Sequence, residues 1–505
     1  MRMRGLHPWI SGVVVLGVAL SIAQQWTIPD EVYFSGDGGI KSLLTKQFAR
    51  GDWHADLRLE AEPWADALWR DGLYPFGQPF AFQQGDRWYV SFAAPFMAIT
   101  APFYRVLGFR GLTLVPLLGL WLSWLATAVV LRRLELTPAA QTIGLGGLIF
   151  ASFLTPYGAM YWEHTLAVGI ACAGWCLVFP AGPTSRGVAR PFAGGLLLGA
   201  AIWARPESVA FAAGVCAALV WLRCRAPEVL ALAGGIAIAG GAFALTNLAL
   251  YGNVLGVVAL RKMEAQHIGY APGQVVLWEY LMRTLWLCPV LAFAAGVSLA
   301  GLRVPALRSG RLAGALWIPI ATTFVGAAFL SRHSGGDQIG ARYVLHTLPL
   351  LFALVALQWS AFGALPIPMR RGLRIAVLVL LAAGIYGNTV EGTQTLLQRY
   401  HEEFLPVLDD LRADPNTVVA VEHQWMAQAM AAEFETKTFF RIRTAEHLGA
   451  LSRALLAQGI ARFTLISYRD EPARRFNGEG FALTVQPRRH LGSLFLVDGT
   501  LAPRP

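Results

Sequence analysis

Beside a soluble domain, this sequence is short of charge. Lysine, arginine, aspartate and glutamate make up 14% of 505 residues, against 55% hydrophobic ones, whereas soluble domains average about 25% charged residues. With a mean hydropathy of +0.49, the chain cannot be an ordinary water-soluble protein and reads as a polytopic membrane protein. Cysteine is scarce too. Cys172, Cys176, Cys216, Cys224 and Cys288 all lie in or beside apolar runs, which excludes a disulfide framework in the polar segments and leaves them as small core residues. Cys172 and Cys176 would share a helix face, but without His or further Cys partners they make a poor metal site. The chain also lacks a G-x-G-x-x-G or P-loop motif, an inverted internal repeat of the transporter kind, and any basic run interleaved with aromatics. The net charge of +10 therefore does not indicate nucleic acid. That excess is accounted for by cytoplasmic loops.

What is present is a series of apolar runs of the length needed to cross about 30 Å of hydrocarbon. They fall near 8–25, 112–131, 138–157, 164–180, 190–204, 206–222, 227–250, 285–302, 312–330, 343–361 and 372–388. Arg2 and Arg4 precede the first run as in a signal peptide, but Ser21-Ile22-Ala23 is a weak cleavage site and further spans follow, so the first helix is expected to stay uncleaved. A twelfth apolar segment, 89–107, is broken by Pro95 and Pro102 and closed by Arg105. The positive-inside rule decides its status. If it lies in the interface, the inner loops carry Arg2/Arg4, Arg132/Arg133, Arg186/Arg190, Arg223/Arg225, Arg303/Arg308/Arg311 and Arg370/Arg371/Arg374; if it crosses, every later basic cluster falls outside. The expectation is a mainly α chain: a polytopic helical membrane domain, 1–390, with about eleven spans. Its large first outer loop, about 26–110, contains an interfacial helix at 89–107. This describes a multi-pass protein of a bacterial inner membrane with a cytoplasmic N-terminus and an outer, periplasmic C-terminal domain.

That C-terminal domain, 391–505, has the composition of a soluble α/β fold. A helical stretch at 394–411 leads into strands at 417–421, 437–442 and 462–467, separated by helices at 424–434 and 445–458, the latter stopped by Gly459. Alternating strands and helices imply a small α/β layer. It reads as an acceptor-positioning or glycan-binding module, or equally as a structural cap.

With sidedness fixed, the unusual polar residues sort to the outer face. Asp37 sits in the Gly-rich stretch Phe34-Ser35-Gly36-Asp37-Gly38-Gly39-Ile40-Lys41, where glycines permit positive φ or close backbone approach and Lys41 and Lys46 add positive charge. It is a candidate general base, or a turn Asp bonding its own backbone; Asp30 and Glu31 compete for the same role. Glu163 and His164, at the outer junction of two spans, are costly at membrane depth. They can bind a divalent cation, orient an acceptor, or pair with an Arg, while Tyr161 and Trp162 before them suit an interface. In Ala204-Arg205-Pro206-Glu207, Pro206 ends one helix and can start the next, so Arg205 would meet an anion near a helix N-terminus or pair with Glu207 to close the hairpin. The loop Ser331-Arg332-His333-Ser334-Gly335-Gly336-Asp337-Gln338-Ile339-Gly340-Ala341-Arg342-Tyr343 has the fork-shaped donors that clamp a phosphodiester, and Arg261, Lys262 and His267 could add charge. Each loop has a mundane explanation alone; their concentration on one face is the functional signal.

In this order, an early Asp in the first outer loop, a Glu at a span end, an A-R-P-E hairpin and a late R-Y before L-x-x-L-P-L, the chain resembles the C-type (GT-C) polytopic membrane glycosyltransferases, near the protein-mannosyltransferase and aminoarabinose-transferase branch. The resemblance covers roughly residues 1–390. It implies inverting transfer of a sugar from a polyprenyl-phosphate donor, metal-independent or metal-assisted, to a lipid, glycan or protein acceptor at the outer face of the bilayer. By that resemblance Asp37 matches the catalytic base, Glu163 with His164 the second acidic position, and Arg205 and Arg342 the contacts to the carrier phosphate. Tyr343, Lys41 and His333 would support the phosphate, and Glu207 would hold Arg205. No cofactor is implied beyond a divalent cation whose involvement stays open. The family's adjacent acidic pair is not at Asp37, although Asp30-Glu31 supplies one. A transporter, flippase or polymerase of lipid-linked sugars is the alternative, but a transporter should carry ionisable residues in mid-span, and these spans are almost free of them.

Overall fold

The computed structural model describes residues 7–179, 187–257, 271–304, 310–331, 338–468, 474–491 and 494–504. Among the positions discussed above, Arg2, Arg4, Arg186, Arg261, Lys262, His267, Arg308, Arg332, His333, Ser334, Gly335, Gly336 and Asp337 lie outside the described residues. The chain is mainly helical and divides into two compact units. One takes the chain up to Trp26 with Thr113–Thr395; the other takes Thr27–Leu112 with Leu396 onward. The change of composition near 390 falls close to one of these cuts. The segment after the first helix groups with the C-terminal residues.

In the first unit and at its borders, six helices among the described residues are long and apolar enough to cross a membrane: Pro8–Trp26, Phe109–Arg133, Ala226–Tyr251, Gly310–Leu330, Arg342–Ala364 and Ile367–Ala413. Gly273–Leu287 and Pro289–Ala300 make a seventh if the two halves, bent by 107°, form one span. Pro138–Phe150, His164–Val178, Ala189–Ala204 and Ser208–Trp221 are apolar but shorter. Every apolar run therefore carries a helix, yet two differ from expectation for local reasons. The run at 138–157 stops being one helix after Phe150, because the Ser152 hydroxyl donates to the Leu148 carbonyl at 2.5 Å and Thr155 to that of Ile149 at 2.5 Å, satisfying the carbonyls that a continuing helix would have used. The run at 285–302 is broken at Cys288 by Pro289, which has no N–H to continue the ladder; Asn388 Nδ2 instead donates to the Leu287 carbonyl at 2.6 Å.

Close packing in this unit depends on glycine. A Cβ on Gly169 would lie 2.3 Å from the Gly119 carbonyl oxygen, and one on Gly195 2.1 Å from that of Leu232, so two helix pairs approach backbone to backbone, as is common where lipid supplies no hydrophobic drive. Ala226–Tyr251 shows the complementary pattern. It is apolar throughout, yet Leu230, Ile238 and Leu245 are exposed, which suits a lipid-facing surface.

The second unit is built on a six-stranded mixed sheet. Its strands follow a two-stranded hairpin of β1 (Ala81–Gln84) and β2 (Arg87–Val90), joined through Gly85 at φ +61°. They are β3 (Val418–Val421), β4 (Thr438–Arg441), β5 (Arg462–Ser467), β6 (Arg474–Gly478), β7 (Phe481–Leu491) and β8 (Leu494–Pro503), in the order β4-β3-β5-β8-β7-β6. β3 runs parallel to β4 and β5, with helices Gln424–Ala429 and Ala445–Ala457 in the crossovers, while β8, β7 and β6 add antiparallel. The expected alternation is thus present, and β6 to β8 extend the sheet beyond it. The helix expected over 89–107 begins only at Ala94, because residues 87–90 pair as β2. Pro95 occupies its first turn, where a missing N–H costs nothing, and Pro102 lies inside without ending it.

Residues 63–78 share a core with the sheet. Trp69 Nε1 donates to the Phe439 carbonyl at 2.9 Å, Trp64 stacks on Phe440, and Phe76 stacks on Phe434. The Gly77 N–H donates to Gln424 Oε1 at 2.7 Å, and Gln424 Nε2 returns a bond to the Gln78 carbonyl at 2.6 Å.

Candidate active site

The polar residues singled out above form one cluster in each unit. In the membrane unit, Glu163 is the N-cap of helix His164–Val178, Arg205 ends helix Ala189–Ala204, and Glu207 is the N-cap of Ser208–Trp221. Pro206 separates the last two helices, and their junction lets Arg205 turn between two carboxylates. Arg205 Nη1 donates to Glu163 at 2.9 Å, while Nε and Nη2 reach Glu207 at 2.6 and 2.5 Å. All three side chains are almost fully buried, so removing one partner would strand a desolvated charge. Both pairings weighed from sequence, Glu163 with an Arg and Arg205 with Glu207, are present in one triad.

Arg342 and Tyr343 open a short 3-10 turn, Arg342–Thr347, that feeds helix Leu348–Ala361. The Arg342 guanidinium lies over the rings of Trp162 and Tyr343 at 5.3 and 5.2 Å and donates to the Tyr343 hydroxyl at 3.3 Å; Arg205 covers the same Tyr343 ring at 5.1 Å. Two guanidiniums therefore share one aromatic, with cation–π attraction strengthened by burial. Trp162, 1% exposed, lies beneath the Arg342 guanidinium, and Tyr161 before it is buried at 3%. The His164 ring packs against Tyr157 and Trp162. Ser208 Oγ and His346 Nε2 share a hydrogen bond at 2.9 Å across 138 residues of sequence, a pair not singled out from the sequence.

In the second unit, Asp37 lies in the first turn of helix Gly36–Ala49, after an extended Ser35. The Gly-rich stretch is therefore helical, and none of Gly36, Gly38 and Gly39 has positive φ. Their task is close approach: a Cβ on Gly39 would stand 1.7 Å from the Gln428 carbonyl oxygen, and one on Gly36 2.5 Å from Gln428 Oε1. Helix Gln424–Ala429 thus seats directly on the turn that carries Asp37. A carboxylate in a helix first turn also meets the positive end of the helix dipole. Lys41, four residues on and so on the same helix face, is 1% exposed with its ammonium 4.2 Å from the Phe92 ring centroid. Gln428 itself is fully buried, and its amide O and N both lack a hydrogen-bond partner among the described residues.

The rival acids are engaged nearby. Asp30 is exposed and pairs with Arg110 at 2.8 Å. Glu31, at φ +64°, pairs with Lys46 at 3.0 Å and accepts from the Tyr33 hydroxyl at 3.3 Å. Positive φ at a non-glycine residue is a strained conformation that its surroundings must hold. Among the described residues, no group of three or more His, Cys, Asp or Glu side chains stands together as a metal site.

No family model and no curated protein sequence matches this chain. Solved structures do. ArnT, the aminoarabinose transferase of Cupriavidus metallidurans, bound to undecaprenyl phosphate, superposes with a TM-score of 0.59 at 12% identity, covering 97% of this chain and 98% of that one. Its apo form gives 0.57 at 13% identity with the same coverage. The oligosaccharyltransferase of Archaeoglobus fulgidus, tethered to an acceptor peptide, gives 0.53 at 12% identity over 90% of this chain and 69% of that one. The chain has the fold of the C-type glycosyltransferases, as its motif order implied.

Proposed function

We propose that this chain is a membrane glycosyltransferase that moves a sugar from a polyprenyl-phosphate carrier to an acceptor at the outer face of a bacterial inner membrane. The observation that carries this reading is the fold shared over nearly the whole chain with a protein bound to undecaprenyl phosphate. In this reading the eleven apolar helices act as spans, the N-terminus is cytoplasmic, and span parity assigns the first outer loop and the C-terminal residues to the outside.

Asp37 acts as the general base. It takes the proton of the acceptor hydroxyl or amine as that atom bonds to the sugar C1, while the C1–O bond to the carrier breaks and its electron pair leaves with the polyprenyl phosphate. Arg342, held by Trp162 and Tyr343, meets the phosphate charge that develops. A fixed guanidinium is a preorganised donor for such charge and spans two oxygens at once. Arg205 is committed to two carboxylates, so it is assigned to fixing Tyr343 and the 204–208 hairpin, with Glu163 and Glu207 as its supports. Lys41 supplies the positive charge beside Asp37.

Purified protein in liposomes, given a radiolabelled polyprenyl-phosphate sugar and a mixed glycolipid acceptor pool, tests the reading. Asp37→Asn should lose about 10²- to 10⁴-fold in transfer rate, the usual share of a general base. Full transfer by both Asp37→Asn and Glu163→Gln would remove the mechanism. Passage of the intact lipid-linked sugar across the bilayer with no transfer would point to a flippase.

A further inference from the structure

Two arginines and a histidine in the second unit have no part in the reaction just described; the His447 Nδ1 accepts from the Arg443 N–H at 3.3 Å, and burial with the neighbouring Arg443 holds its imidazole below its usual pKa. Arg441 ends strand β4 at the edge of the sheet, Arg443 follows two residues later, and His447 lies in the first turn of helix Ala445–Ala457, capped by the Thr444 side chain. All three converge on the segment from Gly72 to Gly77. Arg443 Nη2 donates to the Gly72 carbonyl at 3.4 Å, a Cβ on Gly72 would sit 3.8 Å from both Arg443 Nη2 and His447 Nε2, and one on Gly77 would sit 2.8 Å from Arg441 Nη1. Gly72 has φ +97°, so the segment turns under these side chains without a side chain of its own there.

What sets the group apart is the missing acid. Partly buried arginines elsewhere in this unit each hold a carboxylate: Arg399 pairs with Glu403 at 2.5 Å and Arg488 with Asp414 at 2.7 Å. Among the described residues no carboxylate lies within ion-pair distance of Arg441, Arg443 or His447, and the buried Nε of Arg441 has no hydrogen-bond partner. Burial and the neighbouring Arg443 push the Arg441 guanidinium down to about 10. Arg441, half-buried beside a second guanidinium and with no ion-paired carboxylate, is costly to keep. The place is also apt: Arg441 stands at the carboxyl end of the edge strand β4, beside a helix N-terminus whose dipole favours an anion.

We infer that Arg441, Arg443 and His447, over the Gly72–Gly77 turn, form a binding site for a phosphate-class anion. The occupant is either a soluble phosphate compound or the phosphomonoester of a lipid, which share this chemistry.

The test uses the full chain in nanodiscs at constant ionic strength. In neutral phosphatidylcholine discs, inorganic phosphate and pyrophosphate are titrated against chloride while thermal unfolding is followed; a second set of discs contains phosphatidic acid with no soluble phosphate. A saturable rise in unfolding temperature in the first set assigns a soluble ligand, and a rise confined to the second assigns a lipid. Arg441→Gln with Arg443→Gln should weaken either response by about tenfold or more, the usual effect of losing charge-assisted bonds, while Arg87→Gln on the exposed end of β2 should not. Gly77→Ala, which displaces Arg441 and keeps the charge, should weaken it as well and covers the case of a misfolded double variant. No response in either set, or an equal response in wild type and the arginine variants, overturns the site.

Discussion

The three glycines around Asp37 give a graded prediction. Each receives a Cβ by substitution with alanine, and the structure ranks what that atom meets. At Gly39 it lands 1.7 Å from the Gln428 carbonyl oxygen and 2.8 Å from the carbonyl carbon. Those are backbone atoms of a packed helix, so helix Gly36–Ala49 must move away by more than about 1 Å to reach ordinary contact, and overpacking of this kind costs about 3 kcal/mol or more. At Gly36 the Gln428 Oε1 at 2.5 Å is a side-chain end, but Gln428 Cβ at 2.9 Å and the Trp425 carbonyl oxygen at 3.2 Å cannot rotate aside, and about 2 kcal/mol is expected. At Gly38 the nearest atoms belong to the Tyr33 ring, at 3.2 Å, close enough for a shift of a few tenths of an ångström, so the change should lie within about 0.5 kcal/mol. Unfolding of the detergent-solubilised protein, followed by tryptophan fluorescence, should rank the variants Gly39→Ala, Gly36→Ala, Gly38→Ala from least to most stable. Transfer should follow the same order, since a displacement of about 1 Å can cost about a hundredfold in rate. Equal stability of Gly39→Ala and Gly38→Ala would refute the close-approach reading and return the motif to a flexible turn.

The remaining predictions concern other parts of the two units. Gln428→Met removes two buried, unpartnered polar atoms at nearly constant length and should stabilise the second unit by about 1–2 kcal/mol; a lowered unfolding temperature would show that the amide has a structural partner. Arg205→Leu strands two buried carboxylates, whereas Glu163→Gln leaves Arg205 with Glu207, so the first should cost about 3–5 kcal/mol and the second clearly less in thermal unfolding; equal losses would contradict the triad. Burial tends to raise the Asp414 carboxyl, but hydrogen bonds from Thr464, from the Asn416 N–H and from Arg488 outweigh it and hold the group below its usual range. A depressed carboxyl stabilises the fold above its unfolded pKa of about 3.9 and loses that contribution as pH falls through the folded value. The stability gap between wild type and Asp414→Asn should therefore be full at neutral pH and close below about pH 4, and a gap independent of pH would contradict it.

Much of the architecture was legible in the sequence because bilayer thickness fixes run length. All eleven apolar runs carry helices, and the alternation of β3, β4 and β5 with their helices followed from period and turn residues. Side-chain hydroxyls at Ser152 and Thr155 that back-bond and end a helix were not legible, since serine and threonine do not interrupt an apolar run. Strand β2 was hidden inside an apolar segment by Tyr89 and Val90, which suit strand and helix alike. At the site, the residue types at 163, 205, 207, 342 and 343 pointed to charge chemistry, but which carboxylate Arg205 would take depended on a junction that only the fold specifies. Gly36, Gly38 and Gly39 announced something unusual around Asp37. Whether they served a turn or a helix contact depended on Gln428, nearly 400 residues away in sequence.

Arg342 is proposed to hold the phosphate of a polyprenyl carrier. A structure of the full chain in nanodiscs with undecaprenyl phosphate tests it most directly. Density for the phosphate is expected against the Arg342 guanidinium and the Tyr343 hydroxyl, with Arg205 still bound to Glu163 and Glu207. A lipid phosphate seated elsewhere, with Arg342 still over Trp162 and untouched by it, would contradict it.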